Sequence, residues 1–165
     1  QTIKLKSNKL SALIRRYQEA KDNGQLQDAS EATMRAWIDE LLSLVNGRVK
    51  FAFVDAKSLS VNIENDKSAA FQIRSYGWSI GAPFSIVTNF EQLAIYDCSV
   101  MPDIEDDANY ARLYLLTYDQ YEEKSETLEA FLSRSNVING NVKLIHGNGN
   151  ALDEQFFVAC HSLLL

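Results

Sequence analysis

Phe51-Ala52-Phe53-Val54-Asp55-Ala56-Lys57 is an apolar run that ends in Asp-x-Lys. Its aromatic and branched residues suit an extended chain. Residues two apart on a strand project to one face, so Asp55 and Lys57 stand together at the polar end of the run. A carboxylate that can hold a divalent cation, beside an ammonium that can handle water and phosphate charge, is what metal-dependent phosphodiester cleavage needs. A surface salt bridge at a strand end has the same spacing, and spacing alone does not separate the two.

Working outward, the run extends to a strand over 49–57. Upstream, Leu10, Leu13, Ile14 and Tyr17 recur at helical spacing, and Asn23-Gly24 ends that segment. A second helix starts near Asp28 to Ser30, where Asp28 and Glu31 have capping-box spacing. Its apolar stripe is Trp37, Ile38, Leu41, Leu42 and Val45, closed by Asn46-Gly47. Downstream of a polar loop over 58–65, Asp66 can cap a third helix that runs to Ile80. Ala69, Ala70, Ile73, Tyr76 and Gly77 form its inner face, and Gly81-Ala82-Pro83 breaks it. Strands are expected over 84–88, 93–97 and 113–118, with an acidic surface loop over 101–107. Tyr118-Asp119 opens a helix carrying Tyr121, Leu128, Phe131 and Leu132. A Gly/Asn-rich stretch over 139–150, expected to be mobile, precedes a last helix capped by Asp153, with Phe156, Phe157, Cys160 and Leu164 on its face. No internal repeat is present. Strands enclosed by helices predict a three-layer α/β domain.

Composition sets the background. A chain of 165 residues with 46% hydrophobic content can bury a sizeable core and is not generally disordered. Its apolar runs fall far short of the roughly 18 residues that span a bilayer, and no signal peptide is read after Gln1. The lack of an initiator Met points to a fragment or a trimmed start. Cys98 and Cys160 lie far apart in apolar surroundings and are expected as reduced thiols of a cytoplasmic protein, a disulfide being the alternative. Net charge is −6, yet residues 1–17 hold Lys4, Lys6, Lys9, Arg15 and Arg16 and no acid. The remainder carries 11 basic and 22 acidic residues. A basic arm on an acidic body can meet nucleic-acid phosphates, and equally can be the solvated face of an amphipathic helix.

Other site types find no support. His146 and His161 have no Cys or acid at zinc-ligand spacing. No Gly-rich phosphate loop follows a strand, no Gly-x-Ser-x-Gly elbow occurs, and neither a methyltransferase signature nor an ATPase motor fits.

Five short motifs occur in a fixed order: Glu31-Ala32-Thr33-Met34-Arg35, Val54-Asp55-Ala56-Lys57, Gln72-Ile73-Arg74-Ser75-Tyr76, Thr88-Asn89-Phe90-Glu91 and Ile95-Tyr96-Asp97. In this order and spacing the chain resembles the N-terminal PD-(D/E)xK endonuclease domain of type IIG restriction–modification enzymes. It is also similar to the nuclease domain of type I restriction R subunits. The resemblance covers roughly residues 28–140 and is strongest over 51–118. It implies a restriction-endonuclease-like domain, with a central mixed sheet flanked by helices, that hydrolyses DNA phosphodiester bonds with Mg²⁺. By resemblance, Asp55 is a metal carboxylate and Lys57 the catalytic lysine, and Gln72 and Glu31 are counted with them as catalytic residues, Gln72 from the Gln-x-x-x-Tyr motif beside the site. Glu31 assists the metal, although helix capping accounts for Glu31 as well. Tyr76 and Arg74 fall to DNA contact, joined by the basic residues Lys4, Lys6, Lys9, Arg15 and Arg16.

The implied organisation is one nuclease-like domain over 1–165, with a basic helical arm (1–27), a core (28–140) and a C-terminal loop and helix (141–165). Its expected partners are double-stranded DNA, and methyltransferase and target-recognition domains in a longer chain or in partner subunits, with no membrane. One departure stands out. The family carries a Pro-Asp metal ligand on a strand before the Asp-x-Lys strand, whereas here Gly47 runs directly into Arg48. The sole Pro-Asp, Pro102-Asp103, comes too late. Either a segment between Gly47 and Arg48 is missing, or the chain is a non-catalytic DNA-binding or assembly module on a degenerate nuclease fold. An unrelated α/β ligand-binding domain is the third reading.

Overall fold

The turn signals that fall within residues 2–46 and 53–132, which the computed structural model describes, have counterparts in it. The first helix, α1 (Thr2–Asp22), ends before Gly24, whose φ of 72° is left-handed. Helix α2 (Glu31–Asn46) starts behind Ser30, whose hydroxyl accepts from the Thr33 amide at 3.2 Å. Ser30 is therefore the N-cap, not Asp28, which sits at φ 56° in the preceding turn. This corrects the Asp28–Glu31 capping box and leaves the Glu31 side chain unengaged in capping. Strand β1 (Phe53–Ala56) leads through a polar loop to α3 (Lys67–Ile80). Asp66 caps α3 by accepting from Ala69 N at 2.8 Å, and Gly81 closes it with φ 69°. Strands β2 (Phe84–Thr88), β3 (Gln92–Asp97) and β4 (Arg112–Thr117) follow. A single turn of 3₁₀ helix (Tyr118–Gln120) and α4 (Ser125–Leu132) stand where one helix is expected. The start of the strand at 49–52, the stretch 139–150, the last helix, Cys160 and both histidines lie outside the described residues.

The described strands form one mixed sheet in the order β1-β2-β3-β4. β1 pairs parallel to β2, with Asp55 opposite Val87, and the other two pairings are antiparallel. A parallel pair needs a crossover, and α3 supplies it. β2 is buried along its whole length, which fits a strand covered on both faces. One face packs Val54, Ala56, Ile86 and Ile95 against Leu13 and Tyr17 of α1, Ile38 and Leu41 of α2, and Leu128 of α4. The other face packs Val87, Ala94 and Tyr96 against Ala69, Ala70 and Ile73 of α3. Helices on both sides of a mixed sheet give the expected three-layer α/β fold. Burying each of these large apolar side chains stabilises the domain by about 1.5–3 kcal/mol.

The α3 layer approaches the sheet closely at Gly77. A Cβ placed there would lie 2.3 Å from Cys98 Sγ and 2.7 Å from Cys98 Cβ. Cys98 is buried, and its Sγ lies 2.9 Å from Ser85 Oγ. Gly77→Ala is therefore expected to push α3 off the sheet and destabilise the domain by about 1–3 kcal/mol, despite alanine's better helix propensity. Thermal unfolding monitored by circular dichroism checks this. An unchanged melting temperature would mean that the layer yields without cost.

Candidate functional site

Three groups converge at the C-terminal end of β1. Val54 and Ala56 face α1 and α2, so the pleat turns Asp55 to the α3 side, with its sheet partner Val87. Lys57 follows immediately, and its amide donates to Thr88 O at 2.9 Å, which extends the parallel pairing by one bond. Lys57 Nζ lies 2.9 Å from Asp55 Oδ2 and donates to Gln72 Oε1 of α3, also at 2.9 Å. The carboxylate and the ammonium are 14% and 20% exposed, so the pair is shielded but reachable. Although the Lys57 ammonium is close, no donor meets the buried Asp55 Oδ2 in good hydrogen-bond direction. Burial pushes the Asp55 carboxyl above the ordinary carboxylate range, opposed by Lys57 and reinforced by the charge of Glu31.

Of the other expected residues, Tyr76 lies on α3 one turn beyond Gln72 and is buried. Glu31 begins α2, its side chain half exposed, near enough to Asp55 for its charge to register there. Arg35, one turn further along α2, also acts on the Asp55 carboxyl. The sequence reading does not single out Arg35, although its spacing of four from Glu31 is the available signal. Arg74 is placed differently. It is 1% exposed, donates to Asp106 Oδ2 at 2.7 Å and lies 5.2 Å from the centre of the Tyr110 ring. In this arrangement its charge ties the acidic loop to α3 instead of meeting solvent. Lys9 and Arg15 are exposed on α1, while Arg16 pairs with Glu40 and lies over the Trp37 ring. The Lys4 and Lys6 side chains lie outside the described residues. α1 itself contributes Leu10, Leu13 and Tyr17 to the core, so this segment packs on the body.

The Thr88-Asn89-Phe90-Glu91 motif forms the wall beside Lys57. Thr88 Oγ1 donates to Gln92 O and accepts from Phe90 N, and Asn89 Oδ1 accepts from Gln92 N. Asn89 Nδ2 donates to Val61 O at 2.9 Å, which ties the loop after β1 to the β2–β3 turn. Phe90 is held at φ 72° with its ring against Tyr17 and Tyr121. A polar groove of about 340 Å³ at the start of α3, lined by Glu64, Lys67, Asp107 and Arg112, does not include Asp55, Lys57 or Gln72.

Mg²⁺ is a hard cation that takes one or two carboxylates, several waters and substrate phosphate oxygens. Asp55, with a buried oxygen that lacks a well-directed donor, and Glu31, whose charge acts on it, are the carboxylates that could contribute to such a set. No cluster of three or more His, Cys, Asp or Glu groups occurs among the described residues.

Comparison with known proteins agrees in direction. The chain is 32% identical over 89 residues, 54% of its length, to the type II restriction enzyme and methyltransferase RM.Eco57I of Escherichia coli. It spans about 9% of that relative's length. No protein-family model and no solved structure matches. Among the described residues, no helix is long and apolar enough to cross a membrane.

The buried pair makes a stability prediction. A carboxyl raised on folding binds more protons in the folded state, so its ionisation weakens the fold as pH rises through the window between the unfolded and folded values. Asp55→Asn removes that loss and is expected to gain stability relative to wild type as pH rises from 4 to 7. Lys57→Met leaves the carboxylate without its cation and is expected to cost about 1–3 kcal/mol at pH 7. Urea melts of the three proteins across that pH range check both signs.

Proposed function

We propose that this chain is the DNA-cleaving part of a restriction–modification enzyme, a Mg²⁺-dependent endonuclease domain of type IIG or type I kind. The observation that carries the reading is the convergence of Asp55, Lys57 and Gln72 at one strand end. Similarity to a restriction enzyme and methyltransferase supports it. Asp55, assisted by Glu31, would hold Mg²⁺, which when bound lowers the pKa of water and offsets charge at a phosphodiester. Lys57 orients the attacking water or stabilises charge on the phosphate oxygens as the bond breaks. Gln72 fixes the ammonium through its side-chain carbonyl, so Lys57 is positioned before substrate arrives. Tyr76 backs the same side of α3. The substrate is double-stranded DNA in the cytoplasm, and methylation and sequence recognition belong to other domains of a longer chain or to partner subunits.

The family's Pro-Asp ligand has no counterpart here, but it has a place. Among the described residues β1 is an edge strand, so a further carboxylate-bearing segment can pair beside Asp55. A second reading, a DNA-binding or assembly module without catalysis, is favoured by the missing Pro-Asp ligand ahead of β1.

Cleavage of plasmid DNA by the purified full-length protein with Mg²⁺ separates them. Asp55→Ala and Lys57→Ala are each expected to lower the rate at least 100-fold while retaining DNA binding. Binding without cleavage by the wild type would establish the second reading. The basic residues of α1 make a separate proposal. Replacing Lys4, Lys6, Lys9, Arg15 and Arg16 by Gln should flatten the dependence of log K on log salt by about two units if two or three meet phosphates. An unchanged slope would assign them to solvent.

A further inference from the structure

The α2 face beside β1 carries an ionic stripe that the proposed chemistry does not use in full. Glu31, Arg35 and Asp39 are spaced by four and share one side of the helix. Arg35 sits at the centre of this stripe. Leu59 N donates to Ala29 O at 3.3 Å, which brings the start of α2 to the loop after β1, and the Arg35 charge acts there on Asp55 as well as on Asp39 along the helix. Two carboxylates, Glu31 and Asp55, therefore meet two cations, Arg35 and Lys57, at this end of the sheet. The Lys57 ammonium is engaged by Asp55 and Gln72, each at 2.9 Å. The Arg74 guanidinium is engaged by Asp106. Arg35 is held loosely by contrast. Its nearest carboxylate oxygen, Glu31 Oε2, is 3.6 Å from Nη2, and the side chain is 41% exposed; its buried Nε, like that of Arg74, has no hydrogen-bond partner.

A buried N–H with no acceptor is costly unless an acceptor arrives from outside. Nε and Nη2 form one edge of the planar guanidinium, the fork that matches two oxygens of a phosphate. On the endonuclease reading, we propose that Arg35 binds a DNA backbone phosphate at the Asp55–Lys57 end of β1 and so fixes the scissile bond against Asp55. The charges agree with this assignment. With a divalent cation held by Asp55 and Glu31, beside Lys57 and Arg35, the site would be net positive and would accept a phosphodiester anion. Glu31, which lies 3.6 Å from Arg35 Nη2, is the group that the phosphate would displace from the fork.

The test uses the full-length protein, plasmid cleavage with Mg²⁺, and fluorescence-anisotropy titrations of a labelled duplex at several salt concentrations. Arg35→Gln is expected to lower the cleavage rate roughly 10- to 100-fold, as for one lost charge-assisted hydrogen bond. It should also reduce the salt slope by about 0.9, one phosphate contact. Arg35→Lys keeps the charge but loses the fork, so it should recover the slope and only part of the rate. If Arg35→Gln does not fold, Arg35→Lys alone decides: full wild-type cleavage would overturn the proposal, and partial loss at an unchanged melting temperature would support it. Wild-type slope and rate in Arg35→Gln, with Asp55→Ala inactive, would overturn the Arg35 assignment and leave the endonuclease reading standing. Wild-type cleavage by Asp55→Ala would overturn both.

Discussion

The candidate site depends on the parallel pairing of β1 with β2. Parallel strands cannot be joined by a tight turn, so the chain must cross the sheet between them, and here it does so as α3. That crossover brings Gln72 above the end of β1, where its carbonyl captures the Lys57 ammonium. The same pairing carries the Lys57 amide onto Thr88 O, which fixes the backbone from which the ammonium projects. Had β1 joined the sheet antiparallel, its C-terminal end would lie at the opposite edge from the Thr88–Glu91 turn. Asp55 and Lys57 would then have lost the wall that confines them.

That wall is built mostly from polar groups turned inward. Thr88 and Asn89 are buried and satisfy the main chain of their own hairpin and of the loop after β1. A buried polar network is stable only when its members are satisfied, and then it holds one conformation. The aromatic packing of Phe90 with Tyr17, Trp37 and Tyr121 closes it from the α1 and α2 side. The site thus rests on rigid elements on three sides: β1, α3 and a hairpin turn locked by its own side chains. Asp55, partly desolvated and raised in pKa, sits in this frame at a cost to folding.

Local rules were legible in the chain. Asp66 and Gly81 bound α3 because capping and left-handed backbone are one-residue properties. The alternation of β1 and the inner face of α3 follow from periods of 2 and 3.6 residues, and the first puts Asp55 beside Lys57, while Gln72 reaches them only through the crossover. What failed was tertiary. Ser30 displaces Asp28 as the cap of α2 because the turn puts Asp28 at positive φ, which spacing does not report. Arg74, expected beside DNA, is itself buried and paired with Asp106, 32 residues away, a contact that spacing along α3 does not report. Arg35 lies inside a recognised motif, but its importance appears only when α2 is packed against the edge of β1.

Cys98 offers a view of how this frame opens. Its thiol is buried between Ser85 and the Gly77 turn of α3, and burial pushes its pKa up to about 11. Thiolate is the reactive form, so in the closed layer this sulfur is doubly protected, by access and by protonation. Alkylation at Cys98 therefore requires α3 to part from the sheet, and under reagent fast enough to outpace reclosing it proceeds at the rate of that opening. α3 also carries Gln72, so the chemistry of one sulfur becomes a clock for the lifetime of the assembled site.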